Sequence, residues 1–198
     1  MIDAGFSPSA NPGRWLGAHD VAVDIMVVPH QAGTTAKNAR AARIPPHAKN
    51  VGRITPGLEP ALVDNSIHTI ASLEASDPRS FDLKVGGPAA LLIAKAIKIA
   101  EREDNSLRQP ERLKAKDALD MFRLLQAIDT DILVTGLLSH RSETEAARVS
   151  ARGVAFIDAE GTHTDGLLPR LATAAAFGDP TIAPSFVALA DMLLTALR

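Results

Sequence analysis

Asp24 stands in the middle of VAVDIMVV (Val21–Val28), a β-branched and almost wholly apolar run closed by Pro29. A carboxylate buried in such a run is costly unless a metal cation or a basic side chain compensates it. One pointing outward from an exposed sheet face needs no compensation, and the pattern leaves both readings open. From Ile25 to Leu58 the chain carries Lys37, Arg40, Arg43, Lys49 and Arg53, with His30 and His47, and no acidic residue. Placed directly after the carboxylate, this segment reads either as a phosphate-binding surface or as a solvated basic loop. Lys95, Lys98 and Arg102 then follow at intervals of three and four, close to one face of a helix. Lys95 lies among Leu91, Leu92, Ile93 and Ile97, so its stem is expected to be buried; its head either seeks a specific partner or snorkels, as Lys98 is expected to do. In KAKDALDMFR, Asp117 and Asp120 share a face, and Lys116, Asp120 and Arg123 are spaced for helical ion pairs of the kind seen on a charged surface. No histidine shows the spacing of a metal motif, and His19, His47, His68 and His163 read as structural or exposed.

The elements that must position these groups change character near residue 86. Residues 1–5 read as a last helical turn closed by Gly5, and Ser7 to Gly13 as a loop. Val21–Val28 reads as a strand covered on both faces. Pro29 to Pro56 reads as a long surface loop, of a length that usually carries function. Ile67–Leu73 and Phe81–Val85 read as two strands joined by a turn. Helices are expected at Pro88–Glu103 and Glu111–Ile128, and from Asp129 or Thr130 to about His140. Another is expected from Ser142, with Glu145 completing a capping box, to about Ala159, and the last two at Leu167–Ala176 and Ser185–Leu197. The fold class is therefore α+β: a partial mixed sheet over residues 1–86 and a helical region over 87–198.

Composition narrows the functions. At 198 residues, 46% hydrophobic and 22% charged, the chain is ordinary for a globular protein. The absence of cysteine excludes disulfides, thiolate zinc sites and cysteine nucleophiles, and suits the reducing cytoplasm. No apolar run has the length of a membrane span, so no membrane partner is expected. A net charge of −2 directs any nucleic-acid reading to a local patch, and one Trp with no Tyr leaves little material for a base-stacking platform.

Read in order, VDIMVVP is similar to the third strand of the polymerase-β-like nucleotidyltransferase superfamily. FDLKVGGPAALLIAKAIKIAERE followed by LKAKDALDMFRLL resembles the continuation found in bacterial nucleotidyltransferase-like proteins, among them abortive-infection toxins of the type IV toxin–antitoxin class. The resemblance spans residues 1–128. It implies that Asp24 is the third of three catalytic carboxylates that hold Mg²⁺ at the phosphates of an NTP substrate. It further implies that Lys95 approaches those phosphates and that Lys116, Asp117 and Asp120 match the family's lysine–aspartate helix. Arg43, Lys49 and Arg53 are added as basic-loop contacts, and Arg102 as a supporting residue of the helix.

Residues 1–23 contain no Gly-Ser pair and no Asp-x-Asp, the motifs that the superfamily carries upstream of its third carboxylate. The chain is therefore read as truncated. Two-metal phosphoryl chemistry needs several carboxylates to fix the ions, so transfer of a nucleoside monophosphate to RNA, protein or another acceptor is expected to be impaired. The alternative is a non-catalytic module that contacts nucleic acid or an acidic protein through the basic loop 30–53. The third reading is a plain helical interaction protein, in which an exposed sheet edge favours a homodimer or aggregation.

Overall fold

Gly87 and Pro88 set the first long helix: Pro88 occupies its first turn, where its missing N–H is harmless, and Asp64 caps it from outside by accepting the Ala90 N–H at 2.8 Å. The computed structural model describes residues 1–34, 39–47 and 50–198. It is an α+β protein with three small sheets and six α-helices among those residues.

Two compact units divide between Leu58 and Glu59. The change of character expected at residue 86 falls inside the second unit. The reason is local: the Gly87 N–H donates to the Asp64 carbonyl, and the Asp64 carboxylate caps the helix, so the segment from Glu59 belongs with the helices.

In the first unit, β1 (Ser7–Pro8), β2 (Arg14–Leu16) and β3 (Ala22–Asp24) form an antiparallel sheet in that order. Short β4 (Met26–Val27) leaves that sheet and pairs in parallel with β5 (Arg53–Ile54). The single doubly covered strand expected over Val21–Val28 is thus corrected to two short strands in two sheets. The break is at Ile25, whose N–H donates to Gly13 while its carbonyl accepts from Arg53. Only Val28 of the run is fully buried. The Trp15 indole N–H donates to the Val51 carbonyl and anchors the unit's centre.

In the second unit, β6 (Asn65–Ala71) and β7 (Ser80–Gly86) form an antiparallel hairpin with Ile70 opposite Phe81. The helices are α1 (Pro88–Glu103), α2 (Ala115–Ala127), α3 (Thr130–Ser139), α4 (Thr144–Gly161), α5 (Leu167–Ala175) and α6 (Ile182–Ala196). Ile93 and Ile97 of α1, Met121 of α2, Leu133 of α3, Ile157 of α4 and Phe186 of α6 meet in one core. Each such side chain contributes roughly 1.5–3 kcal/mol by leaving water. The cap expected from Ser142 is supplied instead by Glu143, whose carboxylate accepts the Ala146 N–H; the Ser142 hydroxyl donates back to the Ser139 carbonyl. None of the helices is long and apolar enough to cross a membrane among the described residues.

Candidate functional site

The stripe that buries Leu92, Ile93, Ala96 and Ile97 turns the opposite flank of α1, with Lys95, Lys98 and Arg102, toward α2. There the first turns of α2 present Asp117 and Asp120. The Lys95 ammonium donates to Asp117 Oδ1 and to Asp120 Oδ2, both at 2.8 Å. Lys98 donates to the same Asp117 oxygen at 2.9 Å, and Arg102 takes the other at 3.0 Å. Asp120 also pairs with Lys116 at 3.2 Å and with Arg123 at 3.6 Å, as the helical spacing predicts.

This cluster differs from a solvated charge face. The Asp117 side chain is only 6% exposed, and that of Lys95 27%. Lys98 does not simply snorkel, since its head reaches a carboxylate. Burial works against the Lys95 ammonium, but hydrogen bonds to Asp117 and Asp120 outweigh it and hold its pKa above that of an ordinary lysine. Burial likewise works against the Asp117 carboxylate, and Lys95 and Lys98 more than reverse it, so its pKa lies below the usual range. Asp120 is lowered chiefly by its bond from Lys95. Five cations surround two carboxylates, so the cluster itself carries excess positive charge, which Glu101 and Glu103 on α1 partly offset.

The structure thus brings Lys95, Arg102, Lys116, Asp117 and Asp120 together. Asp24, Arg43 and Arg53 belong to the first unit. Asp24 is exposed at the end of β3, opposite Arg14 in the register. Arg43 is exposed, and Arg53 is half-buried with its guanidinium 3.7 Å from Met26 Sδ. Lys37 and Lys49 lie outside the described residues. Among the described residues no three carboxylate or imidazole groups converge as a bound metal requires. Asp117 and Asp120 are taken up by cations, and Asp24 stands on an open face. These residues do not fit a resident two-metal centre.

A second polar array escaped the sequence reading. His140, fully buried after α3, shares a 2.9 Å hydrogen bond between its Nδ1 and the Ser150 hydroxyl of α4. Its Nε2 lies 3.6 Å from Asp64 Oδ2, beyond hydrogen-bond reach, and is otherwise unpartnered. Burial holds the imidazole below its ordinary pKa, and Asp64 opposes that only in part. A signal was present: Leu133, Leu137 and His140 continue one buried helical stripe, as do Ala146, Ser150, Gly153 and Ile157.

No family model, no curated protein and no solved structure matches the chain.

Proposed function

We propose that this chain is a nucleotidyltransferase-like protein that engages the phosphates of a nucleoside triphosphate at the α1–α2 cluster. What supports the reading is the convergence of Lys95, Lys98 and Arg102 with Lys116 and Arg123 around only two carboxylates. A triphosphate offers several anionic oxygens at once, and charge-assisted bonds to ammonium and guanidinium groups are the strong ones. The partly exposed Lys98 and Arg102 can add phosphate contacts while Asp117 remains paired with Lys95. Mg²⁺ enters this reading with the substrate phosphates, since no three candidate ligands converge among the described residues. Nucleoside monophosphate transfer to an RNA, protein or other acceptor is the reaction that the family resemblance implies. Asp24 is the one catalytic and metal-facing carboxylate the resemblance assigns.

The test is titration of ATP and CTP, with and without Mg²⁺, into the wild type, Lys98→Gln, Arg102→Gln and Asp24→Ala. The reading expects binding that weakens with salt and in both α1 variants. Unchanged affinity in Lys98→Gln and Arg102→Gln removes the cluster from nucleotide binding. Equal Mg²⁺-dependent affinity for wild type and Asp24→Ala removes Asp24 from any metal contact.

A second reading rests on a separate observation. Arg40 and Arg43 are exposed and form no ion pair among the described residues, in a segment that carries no acid from residue 25 to residue 58. A surface of this kind binds nucleic acid or an acidic protein without a metal. Salt-sensitive RNA binding lost in Arg40→Gln/Arg43→Gln, with no nucleotide binding at α1, would favour it.

A further inference from the structure

Ala147, Ser150, Ala151 and Val154 recur at i, i+3, i+4 and i+7, on one face of α4. They wall a solvent-open pocket of about 430 Å³ that Leu137 from α3 and Leu194 from α6 also line. Small-molecule sites occupy roughly 300–1,000 Å³ and are mostly apolar with a few placed polar groups. Here the alanines keep the space open: a larger side chain at Ala151 would stand in it.

The polar groups are of two kinds. Ser150 and His140 contribute to the wall but are 5% and 0% exposed. His140 Nδ1 and the Ser150 hydroxyl are engaged with each other at 2.9 Å, while His140 Nε2 lies on the Asp64 side, 3.6 Å from its Oδ2. Arg141 and Arg198 also line the cavity; both are exposed, and neither is ion-paired among the described residues. One carboxylate, Asp158, opposes them. Asp158 lies eight residues beyond Ser150 on α4, about 12 Å along the axis, whereas Arg141 lies in the 3₁₀ turn His140–Ser142 before the start of that helix at Thr144.

We infer that this cavity binds a compact amphipathic monocarboxylate. Its alkyl body lies between Leu137, Val154 and Leu194, and its carboxylate is held by Arg141. The planar guanidinium matches a carboxylate in a two-point fork, which an alcohol of equal length cannot use. The inference is independent of nucleotide binding, since the cavity contains none of the α1–α2 cluster.

The test is isothermal titration of decanoate and 1-decanol, below their micelle or solubility limits, into the wild type, Arg141→Gln and Ala151→Phe. Decanoate should bind about tenfold or more tightly than decanol, the ratio that corresponds to roughly 1.4 kcal/mol. Arg141→Gln should bring the two ligands within about twofold of each other, the residue of a lost charge-assisted contact. Ala151→Phe should abolish decanoate binding. Arg141 is exposed, so its variant keeps the fold and carries the test even if Ala151→Phe does not fold. No decanoate binding to wild type, or equal decanoate affinity in wild type and Arg141→Gln, overturns the proposal; so does unchanged affinity in folded Ala151→Phe.

Discussion

Lys95 and Asp117 meet at 2.8 Å across the α1–α2 interface, and the same Asp117 oxygen also receives Lys98 at 2.9 Å. One nearly buried carboxylate therefore fastens two helices through three cations, with Arg102 as the third. Removing it leaves three like charges crowded at the seam. The net worth of the intact cluster is smaller than the damage done by breaking it, because desolvation opposes the attraction in the folded state.

Asp117→Asn should therefore destabilise the protein by about 2–3 kcal/mol, below the roughly 3–5 kcal/mol of a fully buried pair because the cations remain partly hydrated. Urea unfolding checks this through a lowered midpoint at constant slope. A change within about 0.5 kcal/mol, the range of an ordinary surface substitution, would show that the cluster contributes nothing to the seam.

The acid limb of stability should carry the same signature. Asp117 and Asp120 have folded pKa values below the ordinary 3.8. Their contribution is complete above that value and is lost as pH falls through the lowered folded values, where the native carboxylates finally protonate. A pH series of unfolding midpoints below pH 4 should be steep for the wild type and flatter for Asp117→Asn.

His140 gives a separate window with its own sign. Its folded pKa lies below the ordinary 6.5, so on acidification the unfolded chain takes up the proton first. Stability should fall as pH drops from about 6.5 toward the folded value, and the slope in that interval should disappear in His140→Asn. The groups facing the ring are Asp64 and Ser150. Asp64→Asn should push the His140 pKa lower still, by removing the carboxylate that favours the charged ring, and imidazole NMR titration reads it directly. An upward shift in that variant would contradict the arrangement.

The helical part of this architecture is largely written in local pattern, and the first unit is not. Pro88 at a first turn, the apolar stripe of α1 and the i, i+3 spacing of Asp117 and Asp120 each act within a few residues, so the helices and the shared face of the acids are legible. That Asp117 is buried against Lys95 depends on how two helices face each other, which neither stripe states. The run Val21–Val28 is ambiguous because its near-continuous apolar pattern fits one strand, whereas at Ile25 a hydrogen bond donated to the Gly13 carbonyl and one accepted from the Arg53 N–H divide it in two. The pairing of His140 with Ser150 joins two buried stripes from different helices, and polar partners of that kind have no fixed spacing in sequence. Glu143 took the cap expected of Ser142 because a 3₁₀ turn over His140–Ser142 delayed the helix start.

Gly153 offers a test in which two opposing effects have comparable size. It lies inside α4, where alanine is ordinarily the better residue by about 0.5–1 kcal/mol. A Cβ there would come within 2.8 Å of Ile93 Cδ1 and 3.0 Å of its Cγ2, at the α1–α4 contact. Ile93 is fully buried in the core, so its branched carbon has no free space to yield. Overpacking of this kind costs typically 1–3 kcal/mol and should win. Gly153→Ala should lower stability by about 1–2 kcal/mol despite the gain in helix propensity. In an Ile93→Val background, which removes the Cδ1 methyl, the same substitution should cost less, with a coupling of at least about 0.5 kcal/mol between the two sites. A stabilised Gly153→Ala protein, or strictly additive effects of the two changes, would show that α1 and α4 do not approach as closely as the glycine permits.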